Sequence, residues 1–514
     1  MSESKHDHTS GRAGRIGVIG AGVMGRGIAQ LFLQAGSHVW LYDTHSGALD
    51  SASGFIGKMV GRQVDKGRYT ETEAEKMLSR LKICQGMEEL AVCDILIEAI
   101  VELLEVKRQL FSELEKIVSD EAILASNTSS LLISDIASAC ARPGRVAGLH
   151  FFNPVPLMRV VEVIPAALTE AAIIQQLSAL VASTGHRAVV AADQPGFLVN
   201  HAGRGFTTEA LRILEEGVAQ PVDVDRVMRE ALGFRMGPFE LLDLTGLDVS
   251  GKVMESVYEQ FLQEPMYRPS SLVPPRMAAG LFGRKTGRGF YHYENNRKIE
   301  PETAPIPQIS LRKVWLHGAG DGASRLLAEE LAANGAQLTD SPVAEDTMAV
   351  LQPWGSDVSH ACAELNLDPA RSVAVDPLPD TGSRRTLMLS PVTAPEVRDS
   401  MHGLLLAAST AVTVINDSPG FISQRILALI VNIAANIAQR RIASVPDIEA
   451  AVTLGLGYPL GPLSWGDRVG GARIAEILDN LFKLTRDPRY RLSPWLRRRV
   501  ECGVSLLTEE VERD

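Results

Sequence analysis

Short apolar runs alternate with longer stretches of helical periodicity through the first third of the chain. Short apolar runs bounded by turn residues predict strands, and apolar positions three or four residues apart predict helices. The predicted strands lie at 15–19, 39–42, 95–99, 123–126, 146–149, 160–164 and 188–192, with helices such as 26–34 and 104–117 between them. Because strands that alternate with helices form parallel sheets, the pattern predicts an α/β domain.

From Pro195 onward the strand pattern fades and helical periodicity dominates. The predicted helices lie at 196–216, 223–232 and 237–259. Three prolines within 300–308 predict a linker, because proline cannot continue a helix. The second part of the chain is therefore predicted to be an all-α domain that ends in a linker.

The helical segment recurs near the end of the chain. Pro195-Gly-Phe-Leu-Val-Asn is echoed by Pro419-Gly-Phe-Ile-Ser-Gln, and Gly233-Phe-Arg-Met-Gly-Pro is echoed by Gly457-Tyr-Pro-Leu-Gly-Pro. Both pairs stand 224 positions apart, so the repeat needs no gap between them. An internal repeat of this kind predicts a duplicated architecture.

The segment before the second copy also opens with a predicted strand and glycines, but it is shorter than its counterpart. Only 101 positions separate Gly318 from Pro419, against 175 between Gly20 and Pro195. About two strand–helix units are missing from the second copy. We therefore expect a shortened, degenerate Rossmann-like domain without catalytic function.

Composition narrows the class of protein. The 514 residues suit three or four domains at roughly 100–200 residues each, and the net charge of -11 argues against a nucleic-acid partner. Five cysteines without a Cys-x-x-Cys pair favour a reducing compartment and predict no metal site. The polar leader lacks a signal-peptide core, and the longest weakly polar run, 403–415, is too short to span a membrane. We expect a cytoplasmic protein without a membrane partner.

A glycine segment after the first strand carries a dinucleotide-binding signature. It reads Gly20-Ala-Gly22-Val23-Met24-Gly25 and stands between a predicted strand and a predicted helix. Its glycines serve a sharp turn, a close approach of the backbone to a pyrophosphate, and close helix–strand packing. Asp43 follows the second strand, where it can accept hydrogen bonds from the adenosine ribose and repel a 2′-phosphate. The sequence therefore predicts NAD as the cofactor.

These patterns together predict five parts along the chain. They are an NAD-binding Rossmann domain at 14–194, a helical domain at 195–299, a linker at 300–308, a shortened degenerate Rossmann-like domain at 309–417 and a second helical domain at 418–514.

The most informative pair of polar residues is His150 and Glu162. His150 ends an apolar predicted strand, at the sheet edge where ligands bind, and Glu162 lies in the strand that returns after a proline-containing loop. Imidazole suits proton transfer near neutral pH, and a carboxylate beside it fixes the tautomer and stabilises the imidazolium. His150 alone is compatible with a structural histidine. A carboxylate among Val and Ile residues is costly unless paired, so the pairing is what predicts a catalytic dyad.

The motifs jointly resemble those of the 3-hydroxyacyl-CoA dehydrogenase family. They are the glycine segment, Ser126-Asn-Thr-Ser-Ser130, His150-Phe-Phe-Asn-Pro, Glu162, Pro195-Gly-Phe-Leu-Val-Asn200, Gly237-Pro-Phe-Glu and Lys285-Thr-Gly-Arg-Gly-Phe290, within 15–293. The duplicated second half resembles longer bacterial members, such as the 3-hydroxyadipyl-CoA and 3-hydroxybutyryl-CoA dehydrogenases of phenylacetate catabolism. The resemblance implies an NAD-dependent oxidoreductase of fatty acid metabolism that oxidises a (3S)-3-hydroxyacyl-CoA to the 3-oxoacyl-CoA.

The resemblance also implies roles for single residues. His150 would be the general base and Glu162 its partner, while Ser129 and Asn200 would hold the substrate's 3-oxygen. The positions that match cofactor-lining residues of the family are Glu102, Lys107, Ser129 and Asn153. Lys66 matches a lysine near the coenzyme A phosphates, although no motif anchors it and a solvated lysine is equally compatible. For Asn200 the alternative is a helix cap.

The second copy departs from the family pattern. Gln424 stands where Asn200 is in the first copy, Asp376 stands at the place of His150, and no clear counterpart of Glu162 follows. We therefore expect the second copy to lack the chemistry. Its helical part is predicted to pack on the first helical domain as two subunits of a shorter member would, which leaves both a monomer and a homodimer or larger homo-oligomer open.

The acyl group is left open by the resemblance. Arg204 lies four residues after Asn200 and so shares its helix face, and Arg235 stands where the repeat has Pro459. Either arginine could bind the distal carboxylate of a dicarboxylic acyl group. An exposed arginine without such a role is the alternative.

Three other functions need comparison with this one. A hydroxy-acid dehydrogenase that does not use coenzyme A commonly has a lysine base and lacks the pattern around His150. A non-catalytic NAD-binding protein on the same fold should have lost the dyad, which is intact here. An enzyme fused to a hydratase would carry a distinct second domain, whereas the second half here is a repeat.

Overall fold

The computed structural model describes residues 14–301, 307–318, 322–344, 346–378, 383–406 and 411–510. They form two compact units. The first unit contains the described part of Met1–Val199 together with Arg441–Gly455, and the second contains the described parts of Asn200–Arg440 and Leu456–Asp514. Most of the polar leader, most of the linker and the glycine at position 320 lie outside the described residues.

A single large sheet lies at the centre of the first unit. Its strands are β1 (Arg15–Ile19), β2 (His38–Tyr42), β3 (Leu81–Ile83), β4 (Ile95–Glu98), β5 (Ile123–Ser126), β6 (Val146–Phe151), β7 (Val160–Pro165) and β8 (Arg187–Val190). They follow the order β3-β2-β1-β4-β5-β6-β7-β8. All neighbours are parallel except β6 and β7, which are antiparallel.

Helices connect these strands. They are α1 (Val23–Gln34), α2 (Ser46–Asp65), α3 (Glu71–Leu78), α4 (Leu104–Ile117), α5 (Ile133–Ala137) and α6 (Ala171–Ser183). Apolar residues of the strands and helices form one buried cluster. Strands β5 and β6 are buried throughout and β7 is buried except at Pro165, as expected when helices cover both faces of a sheet.

The predicted α/β fold of this region is confirmed, and all seven predicted strands are present. The eighth strand, β3, was not predicted. It has only three residues and no fully buried position, so its sequence carries almost no apolar pattern.

The helical region that follows begins with α7 (Val199–Ala202), at the boundary of the two units. It continues with α8 (Arg204–Glu215), α9 (Pro221–Arg226), α10 (Pro238–Thr245), α11 (Leu247–Gln260) and α12 (Val273–Ala278), and ends in a hairpin of β9 (His292–Glu294) and β10 (Arg297–Ile299). The predicted helix 237–259 is two helices, because Gly246 between them has φ 88°, outside helical geometry. The hairpin was not predicted.

A second, smaller sheet belongs to the second unit. Its strands are β11 (Lys313–Leu316), β12 (Gln337–Leu338), β13 (Thr347–Leu351), β14 (Ser372–Val375), β15 (Arg384–Leu389) and β16 (Ala411–Asn416), and its helices are α13 (Gly322–Ala333), α14 (Val358–Leu365) and α15 (Pro395–Leu406). The strand order is β12-β11-β13-β14-β15-β16, with one antiparallel pair, β14 and β15.

The two sheets share one design. Among the described residues, each sheet has one antiparallel pair of strands, β6 with β7 in the first and β14 with β15 in the second. In each sheet the last strand, β8 or β16, then lies parallel to its neighbour. Within the described ranges the second sheet has six strands against eight in the first. This loss of two strands agrees with the shortening predicted from the spacing of the repeated motifs.

The long helix α16 (Ile422–Gln439) is the core of the repeated helical segment, and it packs along α8. The helix α16 is long and apolar enough to cross a membrane, but 83% of its residues are buried inside the protein. Arg425 on α16 donates to Glu209 on α8 (Nε to Oε1, 2.8 Å) and to Glu216 (Nη1 to Oε2, 2.8 Å). Tyr490 also donates to Glu209 at 2.6 Å. A buried polar network thus joins the two copies of the helical segment.

The remaining helices are α17 (Val445–Ala450), α18 (Pro462–Val469), α19 (Gly471–Thr485) and α20 (Pro494–Cys502). Of these, α17 lies in the first unit, where Asp447 pairs with Arg187 at 2.9 Å and accepts a hydrogen bond from the Val190 amide. The segment Arg441–Gly455 is thus grouped apart from the rest of 418–514. The predicted five-part division stays a prediction.

Candidate active site

The glycine segment forms the turn from β1 into α1. Gly20 has φ 101°, a conformation that favours glycine, and a Cβ there would lie 2.5 Å from the Ala99 carbonyl oxygen. A Cβ on Gly25 would lie 1.7 Å from the Gly20 oxygen, so only glycine permits this packing. A Cβ on Gly22 would meet nothing within 4 Å. Gly22 therefore faces open space, where a ligand can approach the backbone.

The start of α1 is suited to an anion. Gly22 is the N-cap residue, no side chain caps the helix, and its first turn, which includes Val23 and Met24, holds no acidic residue. Backbone N–H groups at such a helix start bind phosphate. Asp43, directly after β2, accepts hydrogen bonds from the amides of Ala21 (2.7 Å) and His45 (2.9 Å). These amides hold the carboxylate beside the glycine turn.

His150 and Glu162 lie directly opposite each other in the antiparallel pair of β6 and β7. Opposite residues project from the same face of a sheet, so the register brings the two side chains together. The His150 Nδ1 to Glu162 Oε2 distance is 2.5 Å, and both residues are buried. The other carboxylate oxygen, Oε1, accepts hydrogen bonds from the amides of Leu198 (2.9 Å) and Val199 (2.7 Å). The carboxylate is therefore fixed on both sides.

This arrangement sets the tautomer of the imidazole. Because Nδ1 faces a carboxylate, Nδ1 carries the proton in neutral His150, and Nε2 carries the lone pair. The ring of Phe152 packs against the imidazole at 4.4 Å between centroids, and Phe197 lies at 5.8 Å. Apolar rings exclude water and strengthen the interaction of His150 with Glu162. The pair can accept a proton at Nε2 and stabilise the resulting charge.

A buried cluster of charges lies at the ends of β4 and β5. The Lys107 ammonium is 2.5 Å from Glu98 Oε1 and 3.2 Å from Glu102 Oε2, and Lys107 is only 1% exposed. Ser126 donates to Glu98 at 2.6 Å. Lys107 thus directs its charge to two carboxylates. Its predicted contact with the cofactor stays a prediction, and the structure gives it the additional task of holding Glu98 and Glu102 together.

Glu102 in turn orders the loop that contains Ser129. Its Oε1 accepts from the Thr128 hydroxyl (2.6 Å), from the amides of Ser129 (3.0 Å) and Ser130 (3.2 Å), and from the Ser130 hydroxyl (2.9 Å). Burial alone would raise the pKa of Glu102, but the Lys107 charge and these hydrogen bonds outweigh it and lower the pKa. The carboxylate stays ionised and fixes the Ser129 backbone.

The other predicted residues of the first unit are exposed. Ser129 and Asn153 present their side chains to solvent, Asn153 after the end of β6. Asn127 accepts a hydrogen bond from the Phe151 amide at 2.8 Å and so anchors the end of this strand. Lys66, at the end of α2, is exposed. Exposure is compatible both with ligand binding and with simple solvation.

Two predicted residues belong to the second unit. Asn200 follows Val199 directly along the chain and lies in α7, and Arg204 begins α8. Arg204 Nε donates to the Asn200 carbonyl oxygen at 2.8 Å. Gly203 separates the two helices, so the sharing of one helix face by Asn200 and Arg204 stays a prediction. The other candidate, Arg235, is exposed and lies between α9 and α10.

Glu98 was missed by the sequence analysis, although a signal was available. It ends the apolar run Ile95-Leu-Ile-Glu98, and it is 1% exposed. The argument applied to Glu162, that a carboxylate in an apolar strand needs a partner, applies equally to Glu98. Thr128 was missed because a single threonine in a loop carries no periodic signal.

The second copy replaces the dyad with other groups. The antiparallel register of β14 and β15 continues to Asp376, whose amide donates to the Thr386 carbonyl oxygen, so these residues stand where the first copy has His150 and Glu162. The Asp376 carboxylate is hydrogen-bonded by Ser423 and by Gln424 Nε2 (2.9 Å). Burial raises the pKa of Asp376. No histidine base is present at this position.

Comparisons with known proteins agree with this geometry. A family model described as the NAD binding domain of 3-hydroxyacyl-CoA dehydrogenase matches residues 15–194. A model described as the C-terminal domain of the same enzyme matches residues 196–293 and again 420–506, which confirms the repeat.

Individual relatives cover one or both halves. A 3-hydroxyadipyl-CoA dehydrogenase from Escherichia coli K12 is 35% identical over 94% of this chain and 97% of its own length. A probable 3-hydroxybutyryl-CoA dehydrogenase from Bacillus subtilis is 42% identical over 54% of this chain and 97% of its own length. The crystal structure of 3-hydroxybutyryl-CoA dehydrogenase from Escherichia coli K12 superimposes with a TM-score of 0.83 at 33% identity, covering 96% of this chain and 99% of that one. The chain therefore belongs to the 3-hydroxyacyl-CoA dehydrogenase family and is an NAD-dependent oxidoreductase that acts on the CH–OH group of a 3-hydroxyacyl-CoA.

Proposed function

We propose that the chain oxidises a (3S)-3-hydroxyacyl-CoA to the 3-oxoacyl-CoA with His150 as the general base and Glu162 as its partner. The observation that carries this proposal is the buried pair at 2.5 Å, whose carboxylate is held from behind by the Leu198 and Val199 amides. A histidine oriented in this way by a carboxylate is the arrangement that proton abstraction from a hydroxyl requires.

The proton moves between groups whose positions the fold determines. Nε2 of His150 takes the proton of the 3-hydroxyl while the C3–H bond breaks, and the carbon–oxygen single bond becomes a carbonyl. When bound, NAD accepts the hydride from carbon 3. The imidazolium that forms keeps its Nδ1–H bond to Glu162, whose negative charge compensates it. In the reverse direction His150 returns the proton to the carbonyl oxygen.

The glycine segment and Asp43 fit NAD. The open space at Gly22 and the uncapped start of α1 suit a pyrophosphate, and we assign Val23 and Met24 to this contact through their position in the first turn. Asp43 would accept hydrogen bonds from the ribose hydroxyls and repel a 2′-phosphate, which favours NAD over NADP. Glu102, Lys107, Ser129 and Asn153 are proposed to line the rest of this site.

The substrate would be held at both ends. Ser129 and Asn200 are proposed to donate hydrogen bonds to the 3-oxygen, where negative charge develops during reduction. The order imposed on the Ser129 backbone by Glu102 supports this role. Lys66 is proposed to approach the coenzyme A phosphates, and its exposure leaves its ammonium free to do so.

For the acyl group we propose 3-hydroxyadipyl-CoA or 3-hydroxybutyryl-CoA. These are the compounds named in the relatives that match nearly the whole chain. A role in phenylacetate catabolism would follow from the first of them. We also propose a cytoplasmic location and, in addition to the acyl-CoA substrate, homodimers or larger homo-oligomers as the partners of the chain.

A direct assay tests the reaction. The purified protein is expected to consume NADH with acetoacetyl-CoA, and His150→Ala should reduce the rate by about 100- to 10,000-fold because the base is lost. His292→Ala, which changes an exposed histidine on β9, is the matched control and should retain the parent rate. Bound NADH, followed by its fluorescence, would show that the variant still folds. Equal activity of His150→Ala and the parent would reject His150 as the base.

A further inference from the structure

The Arg204 side chain is partly buried, and no carboxylate pairs with its guanidinium among the described residues. Its Nε donates to the Asn200 carbonyl oxygen at 2.8 Å, but its Nη1 is buried and has no hydrogen-bond partner among the described residues. Burial lowers the pKa of Arg204 to about 10, offset only in part by the nearby Tyr458. A buried charge without a counter-charge is unfavourable, so such a group indicates an anionic ligand.

Arg425 shows how this fold treats a structural arginine. Arg425 is 2% exposed, and Glu209, Glu216 and Tyr490 all bind its guanidinium. These partners raise its pKa despite burial. At Arg425, therefore, carboxylates compensate the buried charge. Arg204, on the helix α8 that packs along α16, has no such carboxylate among the residues that the structure describes.

A phenol from the second copy completes the surroundings of Arg204. Tyr458 is 6% exposed, and its ring packs on Phe234 at 4.9 Å and on Phe206 at 5.4 Å between centroids. Burial raises the pKa of Tyr458, so its hydroxyl keeps its proton and can donate a hydrogen bond. A charged donor and a neutral donor thus stand together beside apolar rings. This combination suits a carboxylate at the end of an alkyl chain.

We propose that Arg204 and Tyr458 form a subsite for the distal carboxylate of a dicarboxylic 3-hydroxyacyl-CoA. The inference rests on the proposed reaction and on the proposed contact of Asn200 with the 3-oxygen. The hydrogen bond from Arg204 Nε to the Asn200 carbonyl oxygen, at 2.8 Å, holds the guanidinium beside Asn200. The carboxylate of a hydroxyadipyl group is only three bonds beyond carbon 3, so neighbouring side chains can bind the 3-oxygen and the carboxylate. The second half of the chain would then contribute to substrate choice through Tyr458.

Binding measurements separate this subsite from the reaction. Adipyl-CoA and hexanoyl-CoA have the same chain length, lack the 3-hydroxyl and differ in the distal carboxylate. Calorimetry with the NADH-bound protein should show that the parent binds adipyl-CoA about 10- to 100-fold more tightly, the range expected for hydrogen bonds to a charged group. Arg204→Gln should abolish this preference without weakening hexanoyl-CoA. Tyr458→Phe should reduce the preference only partly.

Turnover and a control complete the test. Arg204→Gln should lower kcat/KM for 3-hydroxyadipyl-CoA by the same factor and leave that for 3-hydroxybutyryl-CoA within about threefold. Arg497→Gln, which removes an exposed arginine on α20, should change neither value. Equal losses for both substrates, or equal binding of adipyl-CoA and hexanoyl-CoA by the parent, would overturn the subsite but not the proposed function. Failure of the parent to reduce acetoacetyl-CoA and to oxidise both hydroxyacyl substrates would instead overturn the proposed function.

Discussion

Replacing Glu162 with glutamine tests how much of the proposed catalysis depends on the charge behind His150. The substitution keeps the shape of the side chain but removes its negative charge. The Leu198 and Val199 amides require an oxygen at Oε1, so the new amide nitrogen must face His150 Nδ1. That nitrogen is a donor, and it would force the imidazole proton onto Nε2. The substitution should therefore remove the base at Nε2 as well as the compensating charge.

The size of the effect follows from the geometry. With charge centres about 4 Å apart and an effective dielectric constant of about 20, the imidazolium loses about 4 kcal/mol of stabilisation. Each 1.36 kcal/mol is a factor of ten in rate, so kcat should fall about a thousandfold. Because neither oxygen of Glu162 is committed to the glycine segment, the KM for NADH should change by less than about threefold.

The assay is the initial rate of NADH consumption with acetoacetyl-CoA, supported by thermal unfolding to compare stabilities. Glu255→Gln, an exposed change on α11, serves as the control and should behave as the parent. A loss of kcat below tenfold in Glu162→Gln would refute the assignment of Glu162 as partner. A large rise in the KM for NADH with unchanged kcat would show instead that Glu162 serves cofactor binding.

Three further substitutions test other parts of the structure. Asp43→Ala should raise the KM for NADH by roughly 10- to 100-fold, because hydrogen bonds from the ribose to a charged group are lost. It should also reduce the preference for NADH over NADPH in parallel rate measurements. An unchanged ratio of the KM for NADH to the KM for NADPH would contradict this. Glu98→Gln should lower the free energy of unfolding in urea by about 3 kcal/mol, because it removes one partner of the buried Lys107; no change would mean that Glu102 alone compensates the ammonium. The hydrogen bond from Lys298 is the main reason that the pKa of Glu300 is lowered from 4.5 to about 2. The Glu300 carboxylate therefore stabilises the fold above pH 4.5, and this contribution is lost as the pH falls toward 2. Glu300→Gln should accordingly lower the Tm slightly at pH 7. The difference in Tm between the variant and the parent should become smaller in acid, and a larger difference in acid would contradict the prediction.

The sequence predicted the first sheet well because its strands are apolar on both faces and each is followed by a turn. It missed β3, whose three residues are half-exposed. It joined α10 and α11 into one helix, since apolar periodicity continues through Gly246 and only the backbone conformation shows the break. Local patterns thus predict elements but not the points where one residue redirects the chain.

The sequence likewise predicted some residues of the candidate site and missed others. His150 and Glu162 were found because strand ends and buried acids leave a signal along the chain. The connection from Lys107 through Glu102 to the Ser129 loop was not predicted, because it depends on side chains from separate segments that meet only in the folded protein. That no described carboxylate pairs with Arg204 is likewise a property of three-dimensional packing.

The packing of α8 on α16 has a consequence for how the chain can be divided. A Cβ on Gly205 would lie 3.2 Å from the Ile430 amide, so the two helices approach at backbone distance, and Glu209 is wholly covered. A fragment that stopped after residue 300 would expose this face and strip the Glu209 carboxylate of its arginine. A relative such as the Bacillus subtilis protein matches only about half of this chain over 97% of its own length, so it has no second copy to cover this face. Expression of the first half of this chain alone should yield insoluble protein even though every residue of the dyad is present.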